Sequence, residues 1–168
     1  MSVGSKDFPA NPEHIMVLGV GNILLKDEGF GVHTIWELEK RRDELNLPPD
    51  VEIIDGGTLG LDLLHFIENK DRLIVVDIIN AGASPGTIFR FKPQDIQTLH
   101  VKKLSFHQVT LFDVLTMAEG MGKAPKETII IAVQPKEIGW GMEVTEELKK
   151  KIPKVIELVV KELKRVKS

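Results

Sequence analysis

Seven consecutive residues, Leu73-Ile74-Val75-Val76-Asp77-Ile78-Ile79, limit most severely how this chain can fold. The run is short for a helix and rich in β-branched side chains, so it reads as a strand. Because its apolar residues do not alternate with polar ones, both faces must be covered, as in a parallel sheet packed between helices. Ile15-Met16-Val17-Leu18-Gly19-Val20 and Thr128 to Val133 repeat the pattern, and Val51 to Ile54 is a shorter strand.

Between these runs the period becomes helical. From Glu28 to Leu45, Val32, Ile35 and Leu38, with Trp36 beside them, form an inward stripe. Thr58 is expected to cap a helix carrying Leu61, Leu64, His65 and Ile67. A further helix runs from His107 to Glu119, with Val109, Phe112, Leu115 and Met117 available for packing. Beyond Thr145 the chain is helical, with Ile152, Ile156, Val159 and Leu163 on one face and a break or kink expected at Pro153. The connection from Asn80 to Pro85 is about half the dozen residues that a parallel crossover needs, so Thr87 to Phe91 should return antiparallel. The fold class is therefore α/β: a three-layer α/β/α domain with a mixed, mostly parallel five-stranded sheet and Leu73 to Ile79 at its centre. Residues 1–14 read as a polar, flexible leader and 15–168 as a single domain.

Composition removes several function classes. A length of 168 residues suits one core. A net charge of -3 gives no general attraction for nucleic acid or anionic lipid. With no cysteine, disulfides, thiolate metal sites and a cysteine nucleophile are excluded. No apolar run approaches the ~20 residues of a membrane span. The polar N-terminus carries no apolar signal segment, so the cytoplasm is the expected location. No unusually apolar surface stripe stands out, and a monomer is expected.

Gly19-Val20-Gly21 after the first strand invites a dinucleotide reading, but Leu24 stands where that motif needs its third glycine. The acid Asp55 also comes about a dozen residues too late. The glycines instead let the chain turn off the strand, or let a ligand or peptide approach the backbone. No HExxH or G-x-S-x-G is present, and Ser84 and Ser105 have no obvious base partner. His14 and His100 fall in loops, His33 and His65 within helices.

Three residues remain, and chain direction places them at one rim, beyond the carboxyl ends of the strands. Asp77 lies inside an apolar run, where an unpaired carboxylate costs several kcal/mol, so it must meet a cation, donors or solvent. Glu28 follows the first strand; an acid in a helix's first turn is also simply favoured by the dipole. His107 opens a helix, with Ser105 as a candidate N-cap. Together the three form a plausible mixed oxygen and nitrogen site for Zn²⁺, Ni²⁺ or a similar ion.

Several blocks, in order, resemble one family. Gly19-Val20-Gly21-Asn22-Ile23-Leu24-Leu25-Lys26-Asp27-Glu28-Gly29 is similar to the N-terminal signature of the nickel–iron hydrogenase maturation endopeptidases. Asp55-Gly56-Gly57-Thr58, Val75-Val76-Asp77, Ser105-Phe106-His107-Gln108 and Val133-Gln134-Pro135 resemble its later blocks. The resemblance spans about Ile15 to Leu163 and implies a phosphorylase/hydrolase-like peptidase fold. It implies removal of the C-terminal extension of the hydrogenase large-subunit precursor after nickel insertion. Glu28, Asp77 and His107 would then bind metal, with Asp77 or Glu28 as the catalytic base. Nickel would be carried by the substrate, and zinc or cadmium-like ions could take the same place. Asp55, Gly56, Gly57, Gly21 and Gln134 would contact the substrate. Two other functions compete: a metal-binding or carrier protein without peptidase activity, which would use the same three ligands, and a general metallo-aminopeptidase-like hydrolase on a related α/β sheet.

Overall fold

The computed structural model describes residues 13–102 and 104–165. Five strands, β1 (Ile15–Val20), β2 (Glu52–Gly57), β3 (Arg72–Ile78), β4 (Ile88–Phe91) and β5 (Glu127–Val133), form one sheet in the order β2-β1-β3-β5-β4. β3 is central, as its composition requires, and every residue of β1 and β3 is buried. β4 alone runs antiparallel, along β5, in keeping with the short connection that precedes it.

The alternation of side chains across the strands builds two cores. Val17, Ile74, Val76 and Ile131 pack under α1 (Phe30–Lys40) and α5 (Ile152–Lys164). Met16, Leu18, Val75 and Ile130 pack under α2 (Leu63–Ile67) and α3 (Phe106–Gly120). Each fully buried side chain of this size contributes about 1.5–3 kcal/mol, so both faces depend on the unbroken apolar runs.

Several local expectations need correcting. The first helical stretch begins with a 3-10 turn at Lys26–Gly29, and α1 ends at Lys40 rather than Leu45. Trp36 is half exposed, because at 100° per residue it falls outside the stripe of Val32, Ile35 and Leu38. Thr58 caps nothing; α2 starts after Asp62. In α3, Val109 and Met117 face solvent, and the inward stripe is His107, Leu111, Val114 and Ala118. That stripe turns His107 toward the sheet. The break expected near Pro153 is present: α4 (Glu146–Lys149) ends before it, and Pro153 lies in the first turn of α5, where its missing N–H needs no partner. Of the expected leader, residues 1–12 lie outside the described residues. Its last two residues are tied down: Glu13 pairs with Arg72 at 2.9 Å, and the His14 N–H donates to Asp71.

Candidate functional site

β1 and β3 are neighbours, with Gly19 opposite Val76, but the chain leaves them toward opposite sides of the sheet. Such a switch point opens a crevice at the carboxyl ends of the strands. Glu28 enters it from the loop after β1, Asp77 from the end of β3, and His107 from the start of α3.

Asp27 fixes the loop that carries Glu28. Its carboxylate is fully buried and accepts the backbone N–H groups of Lys136 (2.9 Å), Glu137 (2.9 Å) and Thr145 (2.7 Å) and the Thr145 hydroxyl. The Lys26 N–H donates to the Gly141 carbonyl at 2.8 Å, so the two loops are tied together. Gly21 is the other requirement. Its φ is 135°, and a Cβ there would lie 1.9 Å from the Glu28 carbonyl oxygen.

Asp77 is 3% exposed. Its Oδ1 accepts the Ile78 N–H at 2.7 Å, and its Oδ2 accepts the Gln108 amide at 3.2 Å. His107 is held by a capping box at the head of α3, in which Ser105 Oγ accepts the Gln108 N–H and Gln108 Oε1 accepts the Ser105 N–H. Its Nε2 lies 3.1 and 3.2 Å from the two Asp77 oxygens, and its Nδ1 lies 2.9 Å from Glu28 Oε1. The imidazole thus sits between two carboxylates. Burial works against its charge, but Asp77 first and Glu28 next outweigh this and push its pKa up to about 10. Burial pushes the Asp77 carboxyl upward, an effect the imidazolium only partly offsets.

Glu28, Asp77 and His107, chosen from sequence, are brought together. Among the described residues no group of three acids or histidines is already disposed as a metal cage, because each ring nitrogen of His107 faces a different carboxylate. The donor set itself, two carboxylates and an imidazole, suits a borderline divalent ion, and these three residues would hold it by exchanging protons for metal. A cleft of about 600 Å³ opens over Glu28 and His107, and Asn22, Thr58, Asn80 and Ile138 also line it.

The expectation that Ser105 lacks a base partner is overturned, since its Oγ lies 2.9 Å from His107 Nδ1. It is not thereby a nucleophile. The hydroxyl accepts the cap hydrogen bond, and an imidazole that holds its proton between two carboxylates is a poor base.

The remaining candidates lie around this centre in different ways. Asp55 is exposed at the end of β2, where its Oδ2 accepts the Trp36 indole N–H at 3.1 Å. Gly56 is buried, and a Cβ there would press on Leu18. Gly57 has φ 45° and accepts the Gly21 N–H at a register shift between β1 and β2. Gln134 is buried, and its Oε1 accepts the N–H groups of Ala81 (2.8 Å) and Ala83 (3.1 Å), which shapes the loop after β3. Sequence reasoning missed Asp27 as a loop anchor and Gln108 as a partner of Asp77. For Gln108 a signal existed, since Ser105-x-x-Gln108 is a capping-box pattern.

The hydrogenase maturation protease family model matches residues 32–162. The hydrogenase 2 maturation protease of Escherichia coli strain K12 is 38% identical over 151 residues, 89% of this chain and 90% of that protein. The hydrogenase expression/formation protein HupD of Bradyrhizobium diazoefficiens is 38% identical over 146 residues, 86% of this chain and 74% of that protein. The solved structure of the hydrogenase maturating endopeptidase HybD from E. coli superposes with a TM-score of 0.80 at 36% identity, covering 89% of this chain and 91% of that one. The HybD structure from Thermococcus kodakarensis shares the fold, with a TM-score of 0.72 at 24% identity. On this evidence the chain belongs to the hydrogenase maturation protease family.

Proposed function

We propose that this protein removes the C-terminal extension of a nickel–iron hydrogenase large-subunit precursor after nickel has been inserted. Family membership supports the reaction, and the observation that carries the site is the pair of carboxylates, Glu28 and Asp77, meeting on one imidazole at a cleft. In this reading nickel arrives as part of the substrate, and Glu28, Asp77 and His107 dock against it. The precursor's own cysteines are taken to hold the nickel; oxygen and imidazole ligands compete poorly with thiolates for it, and this chain has no cysteine. The enzyme therefore reads the metal and releases it, and zinc or cadmium-like ions can occupy the same ligands. Nickel so placed would polarise the scissile carbonyl or acidify a water. Asp77 or Glu28 then takes the proton.

The tail would run along the rim past Gly21, Gly56, Gly57 and Gln134, with Asp55 reading a residue near the cleavage point. Phe106 and Ile138, both exposed and lining the cleft, offer apolar contact to a protein substrate. We further propose that the protein works as a cytoplasmic monomer; no helix among the described residues is long and apolar enough to cross a membrane.

The test is to mix the wild-type protein with nickel-loaded and with metal-free precursor. Only the loaded form should lose its tail, and equal cleavage of both would overturn nickel as the recognition element. Tight uptake of nickel without processing would favour the carrier reading, and hydrolysis of generic short peptides the aminopeptidase-like one. Ser105→Ala separates a serine mechanism from this one, because loss of a nucleophile would abolish processing, whereas loss of a cap should leave it measurable.

A further inference from the structure

Gln108 makes two kinds of contact with one amide. Its Oε1 accepts the Ser105 N–H at 3.0 Å, closing the capping box at the head of α3. Its Nε2 donates to Asp77 Oδ2 at 3.2 Å and to the Ile78 carbonyl. All three partners agree on the amide's orientation: the Ser105 N–H requires an acceptor, and a carbonyl and a carboxylate require a donor. The residue is 6% exposed, so little water is available to replace any of these bonds.

The consequence falls on Asp77. Its Oδ1 is set by the Ile78 N–H and its Oδ2 by Gln108, one donor from the backbone and one from the helix cap. With each oxygen held, the carboxylate cannot rotate freely, and both oxygens stay 3.1–3.2 Å from His107 Nε2. A capping box alone is satisfied as well by Glu as by Gln, so the cap does not explain an amide at this position. The contacts with Asp77 and with the Ile78 carbonyl beside it do, since only the amide carries N–H donors.

We propose that Gln108 is a positioning residue acting through Asp77: it uses the rigid start of α3 to orient the carboxylate for the maturation reaction. This rests on the reading of Asp77 as a working carboxylate of the site. Partners of this kind, one bond removed from the chemistry, typically change metal affinity or activity by about 10–100-fold when replaced.

Two substitutions isolate the donor. Gln108→Glu keeps the cap acceptor but loses the N–H groups, whereas Gln108→Met loses both without adding charge. Three quantities are measured for each: kcat and KM on nickel-loaded precursor, Co²⁺ uptake by the protein alone followed by its visible absorption, and the thermal midpoint. Both variants should lose about 10–100-fold in kcat with KM within about twofold. Gln108→Glu should also lower the midpoint, because its carboxylate faces Asp77 Oδ2 and the Ile78 carbonyl with no donor between them, so kcat is compared well below the midpoint of each variant. Wild-type kcat in either variant overturns the proposal. So does a loss confined to Gln108→Met, which would assign Gln108 to the cap alone. If the wild type takes up no Co²⁺ but both kcat losses persist, Asp77 meets metal only as the substrate presents it, and the positioning role of Gln108 stands.

Discussion

Two clusters of buried charge lie at opposite ends of the same sheet, and burial does not distinguish them. At the start of β3, Arg72 is 4% exposed, pairs with Glu13, and donates to the Glu162 carbonyl at 2.9 Å. Glu162 in turn pairs with Arg90 and Arg165. At the end of β3, Asp77 and His107 are 3% and 6% exposed. The first cluster answers each acid with a guanidinium, a group that keeps its charge under all ordinary conditions. The second puts two carboxylates on one imidazole, a group whose charge depends on the acids around it, and opens on a cleft. Pairing of fixed charges makes a fastening; sharing of a titratable group beside a cavity makes a site.

The comparison is tested most sharply by removing one member from each cluster. Glu28→Gln or His107→Ala should lower processing of nickel-loaded precursor by about 10²-fold or more while the circular dichroism spectrum is unchanged. Normal turnover in either variant would show that the rim cluster is only another fastening. Arg72→Met should do the reverse, costing about 3 kcal/mol in urea unfolding because it leaves Glu13 without its cation. Its kcat, measured well below the thermal midpoint, should match the wild type.

A connecting case is Asp27, which neighbours Glu28 in sequence but belongs to neither cluster. Asp27→Asn replaces one acceptor oxygen by a donor that faces the N–H groups of Lys136, Glu137 and Thr145. A loss of about 2 kcal/mol in denaturant unfolding is expected. Processing should also fall, since the loop that aims Glu28 loses its anchor. Unchanged stability would mean that Asp27 is not what joins the two loops.

The fold was largely legible because unbroken apolar runs dictate buried strands, and a six-residue link forbids a parallel crossover. The site was half legible. Chain direction puts Glu28, Asp77 and His107 at one rim, but nothing in one dimension says that the imidazole comes between the acids. That follows from the inward stripe of α3, which the sequence reading mistook by favouring Val109 and Met117 over Leu111, Val114 and Ala118. Helix α3 has apolar residues on more than one side, so its periodicity alone could not select the face. Asp27 was invisible for another reason, since its donors are backbone N–H groups more than a hundred residues away.

The smallest expected effect concerns Asp55, whose exposed carboxylate is met by the indole of Trp36 on α1. Trp36 lies on the outer side of α1, with His33 edge-on to it at 5.2 Å, and its N–H reaches Asp55 Oδ2 at 3.1 Å. Trp36→Phe keeps an aromatic ring and removes only that donor. Because both groups are largely solvent-accessible, stability should change by less than about 0.5 kcal/mol. If Asp55 reads the precursor near its cleavage point, losing the bond that aims it should raise KM about threefold and leave kcat alone, the equivalent of roughly 0.7 kcal/mol of uniform binding. Asp55→Asn supplies the scale, because it retains the shape and removes the charge. A KM that rises in Asp55→Asn but not in Trp36→Phe would show that Asp55 finds its partner without help from the helix. A KM unmoved in both would take Asp55 out of substrate recognition and leave the rim's specificity to the residues that line the cleft itself.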